Sequence, residues 1–151
     1  MAPAFSLPDM EGAMHDLARY RGERVLLYFY PKDDTSGCTK QACAIKDALP
    51  AFTDLGAKVI GISVDSPESH AKFVEKYELP FLLLSDEKKE VVEKYGVWAK
   101  KKFMGREYMG TLRMSFLIGP DGKIEKIYEN VKPEAHAEEV IADVKIIAGK
   151  S

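Results

Sequence analysis

The chain has two cysteines, Cys38 and Cys43, both in the stretch YFYPKDDTSGCTKQAC, residues 28–43. No other thiol occurs among its 151 residues. Cys38 follows Gly37 and opens a stretch with helical spacing. The free N–H groups and the positive end of a helix dipole then face its sulfur. Such a place favours thiolate over thiol, and the thiolate is the nucleophile. The plainer reading is a small packed cysteine, but a glycine-led turn rich in polar side chains suits that poorly. On one regular helix, Cys43 stands ~140° around the axis from Cys38, with the two Cα atoms roughly 8.6 Å apart. A disulfide spans about 7 Å at most. Either the pair never bonds, or the first turn or two of the helix unwinds. A plainer reading of Cys43, less favoured by the spacing, is a core-facing residue of that helix.

The elements that must hold these thiols alternate along the chain. RVLLYFYP (24–31) is an apolar run ended by Pro31 and reads as a buried strand. Residues 38–55 put Ala42, Ile45, Leu49, Phe52 and Leu55 on one helical face, with a kink or early end predicted at Pro50. KVIGISVD (58–65) is a second buried strand. SPESHAKFVEKY (66–77) is a helix with Ser66 as N-cap and Pro67 at its first position. PFLLLSD (80–86) is a third strand, and EKKEVVEKYG (87–96) a short helix stopped by Gly96. In residues 114–131, two strand-like halves flank Pro120-Asp121-Gly122, a hairpin signal. Residues 133–150 form an amphipathic helix with Val140, Val144 and Ile147 on one side and His136 on the polar side. The N-terminal FSLPDMEGAMHDL suggests a short hairpin turning near Glu11-Gly12.

Strands separated by helices imply a largely parallel sheet, to which the hairpin adds antiparallel strands. The expected fold class is α/β, a thioredoxin-like three-layer fold with a mixed central sheet and helices on both faces. One domain, 1–151, is expected from the length. In such sheets chemistry sits beyond the carboxyl ends of the strands, where the Cys38 stretch lies. With 46% hydrophobic and 30% charged residues the chain is globular rather than disordered. A net charge of −2 gives no pull toward nucleic acid or anionic membrane. No apolar run approaches the ~18 residues of a membrane helix. The N-terminus lacks the basic and apolar regions of a secretory signal, so a cytoplasmic location is expected. There a cysteine pair is more often redox-active than a structural staple.

FYPKDDTSGCTKQAC resembles the active-site segment of peroxiredoxins, in the bacterioferritin comigratory protein or PrxQ subfamily. That motif is Pro, three residues, Thr or Ser, two residues, Cys, matched here by Pro31, Thr35 and Cys38. The subfamily's second cysteine, five residues on, matches Cys43. The likeness extends over FSLPDMEG, YRGERVLLYFYPKD, GISVDSPESHAKFVEKYELPFLLLSD, KYGVW and RMSFLIGPDGKI. Ser36 stands where the subfamily usually has Pro, and Gln41 where Glu is common.

The resemblance implies a thiol peroxidase. Cys38 as thiolate would attack a hydroperoxide and become a sulfenic acid. Thr35 and the backbone N–H groups near Gly37 and Cys38 would hold the peroxide oxygens. Pro31 would shield the sulfur, and Arg113, at the entry to RMSFLIG, would be its cationic partner. Cys43 would then close a Cys38–Cys43 disulfide, opened by thioredoxin or glutaredoxin. No cofactor and no metal are expected, since His15, His70 and His136 have no ligand-like spacing with a cysteine. The run Lys100-Lys101-Lys102 reads as a solvated loop. A monomer is expected, with a weak dimer next, because the C-terminal cysteine tail of ring-forming relatives is missing. Two rival readings are a thiol–disulfide oxidoreductase and a redox-sensing holdase. The first normally carries Cys-x-x-Cys, and here the spacing is Cys-x4-Cys.

Overall fold

A computed structural model describes residues 2–129 and 131–147. In chain order the elements are β1 (Ser6–Pro8), β2 (Met14–Asp16), a 3-10 turn (Leu17–Tyr20), β3 (Arg24–Phe29), α1 (Ser36–Asp54), β4 (Ala57–Ser63), α2 (Pro67–Tyr77), β5 (Leu82–Ser85), α3 (Glu90–Lys94), β6 (Trp98–Phe103), β7 (Arg106–Thr111), β8 (Met114–Ile118), β9 (Ile124–Tyr128) and α4 (His136–Ile147). The central sheet runs β5-β4-β3-β8-β9. β3, β4 and β5 are parallel, while β8 and β9 pair antiparallel. The mixed three-layer α/β class expected from the sequence is the fold observed.

β3 lies in the middle because both of its faces are apolar. Leu26 and Tyr28, with Tyr30 just beyond, join one core with Ala42, Ile45 and Phe52 of α1, Phe73 of α2, and Val140 and Val144 of α4. Val25, Leu27 and Phe29 join the other, with Phe5, Val91, Val92, Tyr95 and Phe116. Three long helices cover the first face. The second is covered by α3, the 3-10 turn and the β1–β2 ribbon. The parallel crossovers bring the C-terminal ends of β3 and β4 together, and α1 starts above them.

Several expectations shift. α1 begins at Ser36, so Cys38 is its third residue rather than its first. Pro50 does not end the helix, which runs on to Asp54. Burial of Phe52 holds the turn after the proline, and the Leu55 N–H closes on the carbonyls of Ala51 and Phe52. The lysine run is not a loop. It lies on β6, in an antiparallel ribbon with β7 whose two-residue turn, Met104-Gly105, has positive φ at both positions. Ile147 is 40% exposed, so the buried part of α4 ends at Val144. Residues 148–150 of the expected helix, and Asn130 of the expected hairpin, lie outside the described residues. Among the described residues no helix is long and apolar enough to cross a membrane.

His136 corrects another expectation, for it is 1% exposed rather than on the polar side. The start of α4 packs on β8, where His136 Nε2 meets Ser115 Oγ at 2.8 Å and Nδ1 meets Glu139 Oε1 at 3.2 Å. Burial holds this imidazole below its ordinary value, against the opposing pull of Glu139 and Asp143. The unfolded chain therefore takes up the proton first as pH falls. Stability tied to His136 is complete above about pH 6.5 and is lost progressively below it. The depressed carboxylates Asp9, Asp34 and Asp143 act only in a lower window, near and below 3.8. Thermal unfolding followed from pH 7 to 5.5 shows a falling midpoint for the parent and a shallower fall for His136→Gln. Parallel slopes refute the assignment.

Candidate active site

The loop from β3 to α1 is fastened before it reaches the cysteine. The Tyr30 hydroxyl donates to Asp33 Oδ1 at 2.6 Å, and the Ser69 hydroxyl to Oδ2 at 2.8 Å. The Asp33 N–H donates to Asp65 Oδ2 at 2.8 Å. His70 Nε2 faces the Leu84 carbonyl oxygen at 3.0 Å and so donates its proton there. Its Nδ1 sits 2.6 Å from Asp33 Oδ2, and both groups are buried. Asp33, Asp65 and His70 bring potential metal ligands within 4.8 Å of one another, but these same hydrogen bonds occupy them. Asp34, at φ 58°, is tied to Lys76 Nζ and the Tyr77 hydroxyl on α2. Nothing in the spacing of Asp33 and His70 announces this anchor.

Thr35 is the N-cap residue of α1, with extended backbone and no side-chain cap bond. Its hydroxyl donates instead to the Lys32 carbonyl at 2.9 Å, which leaves the oxygen free to accept a hydrogen bond from a ligand. The first intrahelical N–H in use is that of Thr39, bonded to the Thr35 carbonyl. The N–H groups of Ser36, Gly37 and Cys38 thus belong to the open first turn, a natural anion cradle.

Cys38 is 2% exposed. Arg113, between β7 and β8, points Nη2 at its Sγ across 3.3 Å and gives Nη1 to Gln41 Oε1 at 2.7 Å. Gln41 is three residues after Cys38, hence on the same helical face. It is 0% exposed, and its Nε2 has no hydrogen-bond partner among the described residues. A Cβ on Gly37 would stand 2.9 Å from Arg113 Nη2, so glycine is what lets the guanidinium reach the sulfur. Cys38, Arg113, Gly37 and Gln41 therefore form one contact group, with Thr35 at the same helix end. Pro31 is partly buried at the start of the anchored loop. Cys43 is a partly buried free thiol within the continuous α1. Regular helix geometry keeps it out of bonding range of Cys38.

Fork-shaped donation to a sulfur and a neutral amide leaves the guanidinium charge intact beside the thiol. This arrangement stabilises an anion forming next to the sulfur. Gln41→Glu tests the point by changing only the charge of the acceptor. The carboxylate cancels part of the guanidinium field, so neutral-pH alkylation of Cys38 by iodoacetamide slows by roughly three- to tenfold. An unchanged rate refutes the electrostatic role of the Gln41–Arg113 contact.

Comparison with known proteins gives consistent matches over nearly the whole chain. The AhpC/TSA family matches residues 1–127. Peroxiredoxin Bcp of Escherichia coli K12 is 48% identical over 141 residues, covering 93% of this chain and 90% of that protein. Peroxiredoxin Bcp of Bacillus subtilis 168 is 43% identical over 149 residues, covering 99% and 95%. Among solved structures, the bacterioferritin comigratory protein of Xanthomonas campestris superposes with a TM-score of 0.90 at 33% identity, covering 95% and 92%. Peroxidoxin BcpB of Mycobacterium tuberculosis does so with a TM-score of 0.85 at 33% identity, covering 97% and 94%.

Proposed function

Since the chain belongs to the AhpC/TSA family and is a peroxiredoxin, an enzyme with thiol peroxidase activity, we propose that Cys38 is the sulfur that attacks the peroxide and Cys43 the one that resolves it. The observation that carries this assignment is the Arg113 guanidinium, 3.3 Å from Cys38 Sγ at the open end of α1. Hydrogen peroxide and organic hydroperoxides are the substrates. The Cys38 thiolate attacks the terminal oxygen, and the O–O bond breaks. Sulfur is oxidised to sulfenic acid while the alkoxide or hydroxide leaves and takes a proton. Thr35 Oγ1 accepts the hydrogen bond of the incoming hydroperoxide. Arg113 and the first-turn N–H groups at Gly37 and Cys38 stabilise the departing oxygen. Pro31 walls the approach and, having no N–H, offers no competing donor.

The second half of the cycle needs α1 to open between the two cysteines. The Cys43 thiol then attacks the Cys38 sulfur, an S–S bond forms and water leaves. An external dithiol of thioredoxin type, or glutaredoxin, opens the disulfide by exchange and returns both thiols. Both reacting sulfurs lie on one helix, so the cycle needs no second chain and a monomer suffices. A reducing cytosol is the compartment that keeps such thiols ready. Peroxide-dependent NADPH oxidation coupled to thioredoxin and its reductase tests the cycle. Sustained turnover, with an intramolecular Cys38–Cys43 disulfide found by peptide mapping of oxidised protein, is the expected result. A single turnover that stalls with both reductants favours the redox-sensor reading.

A further inference from the structure

We propose that α2 is the template that holds Thr35 in its peroxide-accepting position, with Asp34 as the positioning residue through which it acts. The inference rests on Thr35 accepting the hydrogen bond of the hydroperoxide. α2 grips two consecutive residues of the loop that leads to Thr35. Near its start, the Ser69 hydroxyl and His70 Nδ1 meet Asp33 Oδ2 at 2.8 and 2.6 Å. In its last turn, Lys76 Nζ and the Tyr77 hydroxyl donate to Asp34 Oδ2 and Oδ1 at 2.9 and 2.7 Å. The second pair follows the first by about two helical turns, so both lie on one stripe of α2. Tyr77 is itself fixed, its ring edge-on to the buried Phe73 with centroids 5.5 Å apart.

The backbone of Asp34 makes this grip possible. Its φ of 58° lies in the left-handed region, which is uncommon outside glycine and most accessible to Asp and Asn. The chain reverses there, and the carboxylates of two neighbouring residues diverge toward different turns of α2. Thr35 follows directly, and its hydroxyl closes back on the Lys32 carbonyl across the same turn. That closure aims the oxygen that accepts from the substrate. An Asp34 released to negative φ rotates the Thr35 peptide and opens the closure. The partners Lys76 and Tyr77 also hold the Asp34 carboxyl below its ordinary range, so the grip is complete at neutral pH. Cys38 is held independently, by burial and by Arg113. Loss of the grip therefore misplaces the acceptor for the peroxide and leaves the sulfur where it is.

The test uses the full chain in a Cys43→Ser background, so that Cys38 is the sole thiol. Its oxidation by hydrogen peroxide and its alkylation by iodoacetamide are timed at neutral pH. Asp34→Ala slows oxidation by roughly ten- to a hundredfold, the scale of a displaced reacting geometry, and leaves alkylation at the parent rate. Asp34→Asn, which tolerates the left-handed turn and still accepts from Tyr77, recovers most of the oxidation rate. The pair Lys76→Met and Tyr77→Phe, which leaves the loop sequence intact, moves oxidation in the direction of Asp34→Ala. In a Thr35→Val background Asp34→Ala adds nothing further, because the group it positions is gone. Oxidation at the parent rate in Asp34→Ala or in the Lys76, Tyr77 pair overturns the inference. Equal slowing of oxidation and alkylation does so too, as do Thr35→Val and Asp34→Ala penalties that simply multiply. A Thr35→Val variant oxidised as fast as the parent would instead overturn the reading beneath it, so the two failures are distinguishable.

Discussion

Cys38→Ser consumes no hydroperoxide, whereas Cys43→Ser consumes one equivalent and stops. A serine hydroxyl at position 38 keeps the shape of the side chain and loses the ionisable sulfur, the only group at the helix mouth able to accept an oxygen atom. Arg113 then faces a neutral hydroxyl, and the first-turn N–H groups have no nucleophile beside them. The loss is complete to the limit of detection. Cys43 is a free thiol five residues on, but it is not at the helix end. Cys43→Ser keeps the oxidation step intact and removes the attack that ends it. Stopped-flow peroxide consumption measures the stoichiometry, and a sulfenic-acid-selective reagent with mass spectrometry locates the adduct. One equivalent consumed and a labelled Cys38 is the expected result. Full turnover by Cys38→Ser would reverse the roles of the two cysteines.

Arg113→Met lowers the rate of peroxide reduction by about 10²–10³-fold, the scale at which loss of one preorganised donor is felt. Two causes add here. The sulfur loses the cation 3.3 Å away, and the departing oxygen loses its charged donor. Arg113→Lys recovers only part of the rate. One ammonium is a point charge and cannot reach both Cys38 and Gln41 as the guanidinium fork does. Removal of the arginine also strands the Gln41 carboxamide, already short of a partner at Nε2, at a cost of about 1–3 kcal/mol. Circular dichroism and the unfolding midpoint separate that structural cost from the kinetic one. The double variant Gln41→Met, Arg113→Met regains stability and stays slow. Full activity in Arg113→Met shows that the guanidinium acts on nothing in the reaction.

The sheet and the long helices were legible because their signals are local. RVLLYF is apolar on both faces, Ser66-Pro67 marks a helix start, and Pro120-Asp121-Gly122 marks a hairpin. Ser66 does accept from the Ser69 N–H as an N-cap should. The β6–β7 ribbon was not legible. Three consecutive lysines mask its alternation, and Met104-Gly105 is not one of the common turn pairs. His136 was misplaced because helical spacing ranks a histidine as polar, and only the packing of α4 on Ser115 reveals its partner. At the site, the motif spacing pointed to Cys38, Thr35 and Pro31 together. Arg113, which the resemblance of RMSFLIG named, lies 75 residues from Cys38 and is brought to it by tertiary structure. The Asp33–His70 anchor, whose members stand 37 positions apart, is invisible to any local pattern.

That anchor bears on how quickly the enzyme resets. Asp33 is bolted to β4 and α2, and the far half of α1 is held by Ile45 and Phe52 in the core. An excursion around Cys38 and Cys43 is therefore bounded on both sides by ordered chain. Rewinding then extends a helix that already exists and skips the slow nucleation step. Elongation runs at nanoseconds per residue. In the proposed cycle, recovery of the reactive shape after the disulfide opens is then too fast to be the slow step.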